Sequence, residues 1–169
     1  MKEKDSTLSL IYFKVTDLWR RLCEKHSELL DLTLDEYKLL LNSDIDGVEK
    51  LIEKKSFLIE SIGQLEKLRS EIIKDLNLYL EKNNQKVVNN VSELISLMNL
   101  FEETNKNYYL KRFNTLLIDI IEKLQDQNKK NQIFLNKAIH NLKEIREEAM
   151  GVKNYSTYNK QGVSSKPLG

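Results

Sequence analysis

The chain has 169 residues, 40% of them apolar, and its 27 basic and 26 acidic side chains leave a net charge of +1. So even a balance gives no electrostatic reason to expect nucleic acid or an anionic membrane surface, and no apolar run approaches the roughly 18 residues of a membrane span. The chain opens without a signal-peptide pattern, and its single cysteine, Cys23, allows no internal disulfide, so a reducing cytoplasm is the expected compartment.

Helix breakers are concentrated at one end. The only proline is Pro167, and Gly151, Gly162 and Gly169 lie in the last nineteen residues, so up to Met150 only Gly47 and Gly63 interrupt. A stretch so poor in breakers and so rich in Leu, Ile, Lys and Glu is helical almost throughout.

The first helix is expected over residues 6–41. Ile11, Val15, Leu18, Leu22, Lys25, Leu29, Leu32, Glu36 and Leu39 recur at three-four steps. A period near 3.5 residues predicts a left-handed supercoiled seam. Tyr12 and Trp19 lie off this seam, where they either cover a neighbouring helix or contact a partner. The chain reverses at Asn42-Ser43-Asp44, with Ser43 or Asp44 capping the next helix. So short a connection makes an antiparallel hairpin.

The second helix is expected over residues 45–81. Val48, Leu51, Lys55, Leu58, Ile62, Leu65, Arg69, Ile72, Leu76 and Tyr79 keep the register. Lys55 and Arg69 set the seam's register or form a basic spot, with their stems lying along the groove. Gly63, one step off the seam, suggests a close approach. Lys82-Asn83-Asn84-Gln85 ends this helix, and Asn90 with Glu93 has the spacing of a capping box. Leu94, Ile95, Met98 and Phe101 then make a short connector over residues 90–101.

From Thr104 to Met150 the pattern reads as one long helix. Leu110, Phe113, Leu117, Ile120, Leu124, Gln127, Asn131, Phe134, Ala138, Leu142, Ile145 and Ala149 form one stripe, oily except at Gln127 and Asn131. At about 46 residues, against about 36 for each of the first two, this helix is expected to be longer by about 15 Å. Its apolar end at Leu142, Ile145 and Ala149 would then overhang into water and invite an occupant, unless the helix bends back or a homodimer covers it. Asn131 acts either as a register device towards that occupant or as an internal hydrogen-bonding group. The fold is therefore all-α: an elongated antiparallel hairpin with a connector and a third long helix over residues 1–150, then a flexible tail over 151–169. That tail carries three lysines and no acid, and its tyrosines are either incidental or an aromatic anchor.

Catalytic patterns are missing: no phosphate-binding glycine loop, no H-E-x-x-H and no paired-cysteine metal site appears, so neither an enzyme nor a cofactor is expected. Cys23 and His26, three apart, make a poor ligand pair by themselves. The segment around His140 and Lys143 faintly resembles a histidine phosphotransfer domain. Glu144 stands where that family has a glycine, adding bulk and negative charge where a phosphoryl group would sit.

Two blocks resemble one family throughout the chain. The hairpin residues Glu36, Leu40, Asp44, Leu51, Lys55, Leu58, Ile62, Leu65 and Arg69 form the first. Asn128-x-x-Asn131, Phe134-Leu135, Ile139 and Asn141, followed by Thr157-Tyr158-x-x-x-Gly162, form the second. Together they are similar to the FlgN-type flagellar export chaperones. The departures are Asn159 and Gln161, where the family often has glycine and aspartate. The resemblance implies a cytoplasmic type III secretion chaperone. Such a protein binds the C-terminal segments of hook-associated proteins 1 and 3, keeps them from assembling early, and delivers them to the export gate. It implies a cargo site on the C-terminal helical region, here Asn128, Asn131, Leu135, Ile139, Leu142 and Ile145. It also implies that Tyr158, with Gly162, meets the cytoplasmic domain of the gate protein FlhA. The rival reading is a structural coiled-coil protein that oligomerises through the same leftover stripe.

Overall fold

Asp44 organises the first turn of the molecule. Its Oδ1 accepts the Gly47 N–H at 2.9 Å, capping α2 (Ile45–Lys82), while Ser43 takes a left-handed φ of 55° to reverse the chain after α1 (Lys2–Leu41). The two helices form the expected hairpin. The computed structural model describes residues 2–102, 107–151, 157–158 and 164–165, and the chain divides into two units, Met1–Gln127 and Asn128–Gly169.

In the first unit every expected seam position of the hairpin is buried or half-buried. Lys55 crosses the seam to Glu36, 2.7 Å away, with both side chains at least four-fifths buried, so the cation sets register. Trp19 is 1% exposed, and its Nε1 donates to Asn114 Oδ1 at 3.1 Å. It is a core residue with a satisfied indole N–H, which rules out the partner-contact reading. The glycine next to the seam behaves otherwise than expected: a Cβ at Gly63 would meet nothing within 4 Å, so no close approach exists there. Gly47 is the constrained one, since a Cβ would come 2.5 Å from the capping Asp44 carboxylate.

Asn84, at φ 53°, ends α2 through backbone bonds from Asn84 and Gln85 to its last carbonyls. The Asn77 side chain holds the following loop through both backbone groups of Val88, each at 2.9 Å. Asn90 Oδ1 then accepts the Glu93 N–H at 2.9 Å and starts α3 (Val91–Glu102). Glu93 reaches back to the Asn89 N–H rather than to the cap residue itself, and also meets Lys86. These contacts, the Asn89 N–H first, hold its carboxyl below the usual range. Leu94 and Met98 of α3 are fully buried in the same core as Val15, Leu22 and Leu76.

The last helix, α4, spans Tyr109–Ala149 instead of beginning at Thr104, which lies outside the described residues. Tyr108, at φ 47°, is outside the helix, and the Glu102 carboxylate caps the start by accepting the Tyr109 N–H at 3.0 Å. The same oxygen accepts the Tyr12 hydroxyl from α1. One buried acid thus ties α1, α3 and α4 together.

The second unit holds the rest of α4 and a two-residue antiparallel ladder, β1 (Thr157–Tyr158) with β2 (Ser164–Ser165), in which Tyr158 pairs with Ser164. Gly162 and most of the expected flexible tail lie outside the described residues. The architecture is all-α apart from this ladder.

Candidate functional site

The stripe of α4 changes character along its length. Leu110, Leu117, Ile120 and Leu124 are buried, and so is Asn131. Gln127, Phe134 and Ala138 are half-buried, and Leu142, Ile145 and Ala149 are exposed. Leu142 and Ile145 show 63% and 61% of their surface, Ile139 55% and Leu135 37%. Leu135, Ile139 and Leu142 follow four-three helical spacing and continue to Ile145 and Met150. They form one apolar edge along the carboxyl half of α4, on which Ile133, 47% exposed, is a further open apolar side chain. Asn128 is exposed at its start.

The expected difference in helix length is absent. The three long helices have 40, 38 and 41 residues, so the last is not markedly longer. They are staggered. Leu29, Leu58 and Leu124 pack in one layer of the first unit. Leu29 is twelve residues from the end of α1 and Leu58 thirteen from the start of α2, whereas Leu124 is twenty-five from the end of α4. Beyond that shared layer α4 has about twice as much chain as either neighbour. An exposed leucine or isoleucine that becomes covered gains about 1.5–3 kcal/mol, so the edge has a driving force for an occupant.

Among the expected contact residues, Leu135, Ile139, Leu142 and Ile145 share this open edge, with Asn128 one turn or more before it. Asn131 is 3% exposed, so a guest that docks without rearrangement does not reach its side chain. Tyr158 belongs to the ladder through its backbone. His140 lies near the edge with the Glu144 carboxylate 3.3 Å from its Nε2, which places a negative group where a phosphoryl group would arrive. Cys23 is buried, its Sγ donating to the Phe113 carbonyl, and burial pushes its thiol pKa up.

Other surfaces offer less chemistry. An open cleft of about 600 Å³ beside α2 is lined by Arg69, Lys74, Asn77 and Asn90, among others. Its amides are engaged: Asn77 holds the loop, Asn89 meets Glu93 and Asn90 caps α3. Among the described residues no three His, Cys, Asp or Glu side chains are grouped to hold a metal ion, and no helix is long and apolar enough to cross a membrane.

Seam periodicity missed one feature. Ile45, Ile52 and Ile59 of α2 are 68%, 50% and 54% exposed and stand seven residues apart, on one line beside the buried seam. Their equal spacing was the available signal.

Comparison with curated proteins and with solved structures found no match. The family model described as FlgN protein matches residues 11–166, which takes in the hairpin from Ile11 on, the connector, the whole of α4 and Tyr158. The chain therefore belongs to the FlgN family of flagellar export chaperones.

Proposed function

We propose that this chaperone takes the C-terminal segments of hook-associated proteins 1 and 3 along the open edge of α4 in the cytoplasm. The edge keeps them unassembled and yields them at the export gate. The observation that carries this reading is the run of exposed apolar side chains Leu135, Ile139, Leu142 and Ile145 along the carboxyl half of α4. An amphipathic segment laying its apolar face on such an edge is helix-in-groove recognition. A guest that folds as it binds spends part of its contact energy on ordering, which keeps the grip reversible. Asn128 supplies a polar contact at the start of the edge, and the buried Asn131 joins the contact only if the guest rearranges the helix around it. Tyr158 and Gly162 are assigned to the meeting with the cytoplasmic domain of FlhA.

Calorimetric titration with each cargo tail and with the FlhA domain tests both surfaces. Leu142→Asp weakens cargo binding at least tenfold and leaves FlhA binding intact, and Tyr158→Ala does the reverse. Unchanged cargo affinity in Leu142→Asp removes the edge as the site, and unchanged FlhA affinity in Tyr158→Ala removes the tail assignment. Catalysis has no part in this account.

A further inference from the structure

Two apolar lines on this chain share a seven-residue repeat. On α2 they are Ile45, Ile52 and Ile59, and on α4 they are Leu135, Leu142 and Ala149, all six exposed. Each line has one charged edge, and the two edges differ in sign. Asp46, Glu49, Glu53 and Glu60, all exposed, border the isoleucines, and no cation interrupts that edge over residues 45–60. Lys143 and Arg146, also exposed, border the α4 line.

We propose that two copies of this chain pair reciprocally, each seating the carboxyl half of its α4 on the other's α2 isoleucines, antiparallel, with Leu142 level with Ile52. That register sets Ala149 against Ile45 and Leu135 against Ile59. Ile139, one turn before Leu142, then faces Ser56, one turn after Ile52, so a large side chain meets a small one. Arg146, one turn after Leu142, meets Glu49, one turn before Ile52. The handedness of the helix places the acidic edge of α2 and the basic edge of α4 on the same side only when the helices run antiparallel.

Charge also excludes the simpler pairing. Two α2 lines packed on each other bring eight carboxylates to one seam, which costs stability. The contact spans about 21 Å, roughly two heptads, so it is weak and releases on dilution. The inference rests on the α4 edge being the cargo site: the partner copy then occupies that edge until cargo displaces it, and the α4 edge is covered in both states.

Sedimentation equilibrium of the full chain from about 1 to 100 μM tests the pairing. The expected result is a monomer of 19.9 kDa at the dilute end and a dimer at the concentrated end. Ile52→Asp and Arg146→Glu each raise the dissociation constant at least tenfold, and Glu49→Arg combined with Arg146→Glu restores the dimer. A monomer throughout, a dimer indifferent to Ile52→Asp, or a charge swap without rescue overturns the pairing. Cargo titration below the dimer's dissociation constant separates this from the function itself. Ile52→Asp leaves cargo affinity unchanged there, and Leu142→Asp lowers it. Cargo binding without a dimer defeats only the pairing, and a dimer that takes no cargo tail defeats the cargo site.

Discussion

Tyr12 and Glu102 stand ninety residues apart in sequence and share a hydrogen bond, the phenol of α1 donating to the carboxylate that ends α3. The same carboxylate oxygen accepts the first N–H of α4, so this contact positions the helix that carries the candidate site. Burial first, and the Glu102 contact second, raise the Tyr12 pKa from 10.0 to about 12.

Tyr12→Phe removes that donor from a buried acid and should cost about 1–3 kcal/mol in urea denaturation at pH 8. A folded-state pKa above the unfolded one gives stability that is complete below pH 10 and fades as the pH climbs towards 12. Wild type should therefore lose more stability than Tyr12→Phe between pH 9 and pH 12. Parallel losses would show that the phenol does not hold the junction.

Lys55 and Glu36 form the one cross-hairpin ion pair found well below the surface among the described residues. Lys55→Met leaves the Glu36 carboxylate largely buried without its ammonium, at a cost of about 1–3 kcal/mol. Glu36→Leu together with Lys55→Met should recover at least half of that loss, since an apolar pair avoids the desolvation of both charges. Chemical denaturation of the three variants checks this, and a double variant weaker than the single one contradicts it.

The two glycines of α2 should respond differently. Gly63→Ala adds a methyl group in open space and should stabilise the helix by about 0.5–1 kcal/mol. Gly47→Ala drives the Asp44 carboxylate out of its capping position, which costs about 1 kcal/mol and cancels the same propensity gain. Thermal melts of both variants read the difference directly.

Much of this architecture is legible in the residues. The three-four recurrence fixes both hairpin helices, and Asp44 and Asn90 mark helix starts because their side chains accept nearby N–H groups within a few residues. The start of α4 is not legible, because its cap, Glu102, lies seven residues upstream and across a turn with Tyr108 at positive φ. The ladder joining Tyr158 to Ser164 is too short to leave a periodic pattern. The exposed end of α4 was expected from a length difference that the helices do not have. Composition gives helix lengths, whereas the stagger that sets Leu29, Leu58 and Leu124 side by side arises from tertiary packing. Asn131 shows the same limit: its place on the stripe is readable, its burial is not.

Thiol alkylation at a single introduced cysteine tests the open edge of α4 most directly, because Cys23 is buried and its thiol pKa is raised, leaving it slow to react. A Leu142→Cys chain, diluted to submicromolar concentration, should label at the rate of a free thiol. Saturating hook-associated protein tail should slow that labelling at least tenfold, while a Ser70→Cys control on exposed α2 stays unchanged. Labelling that is already slow in the free chain, or equally fast with cargo bound, would contradict the account.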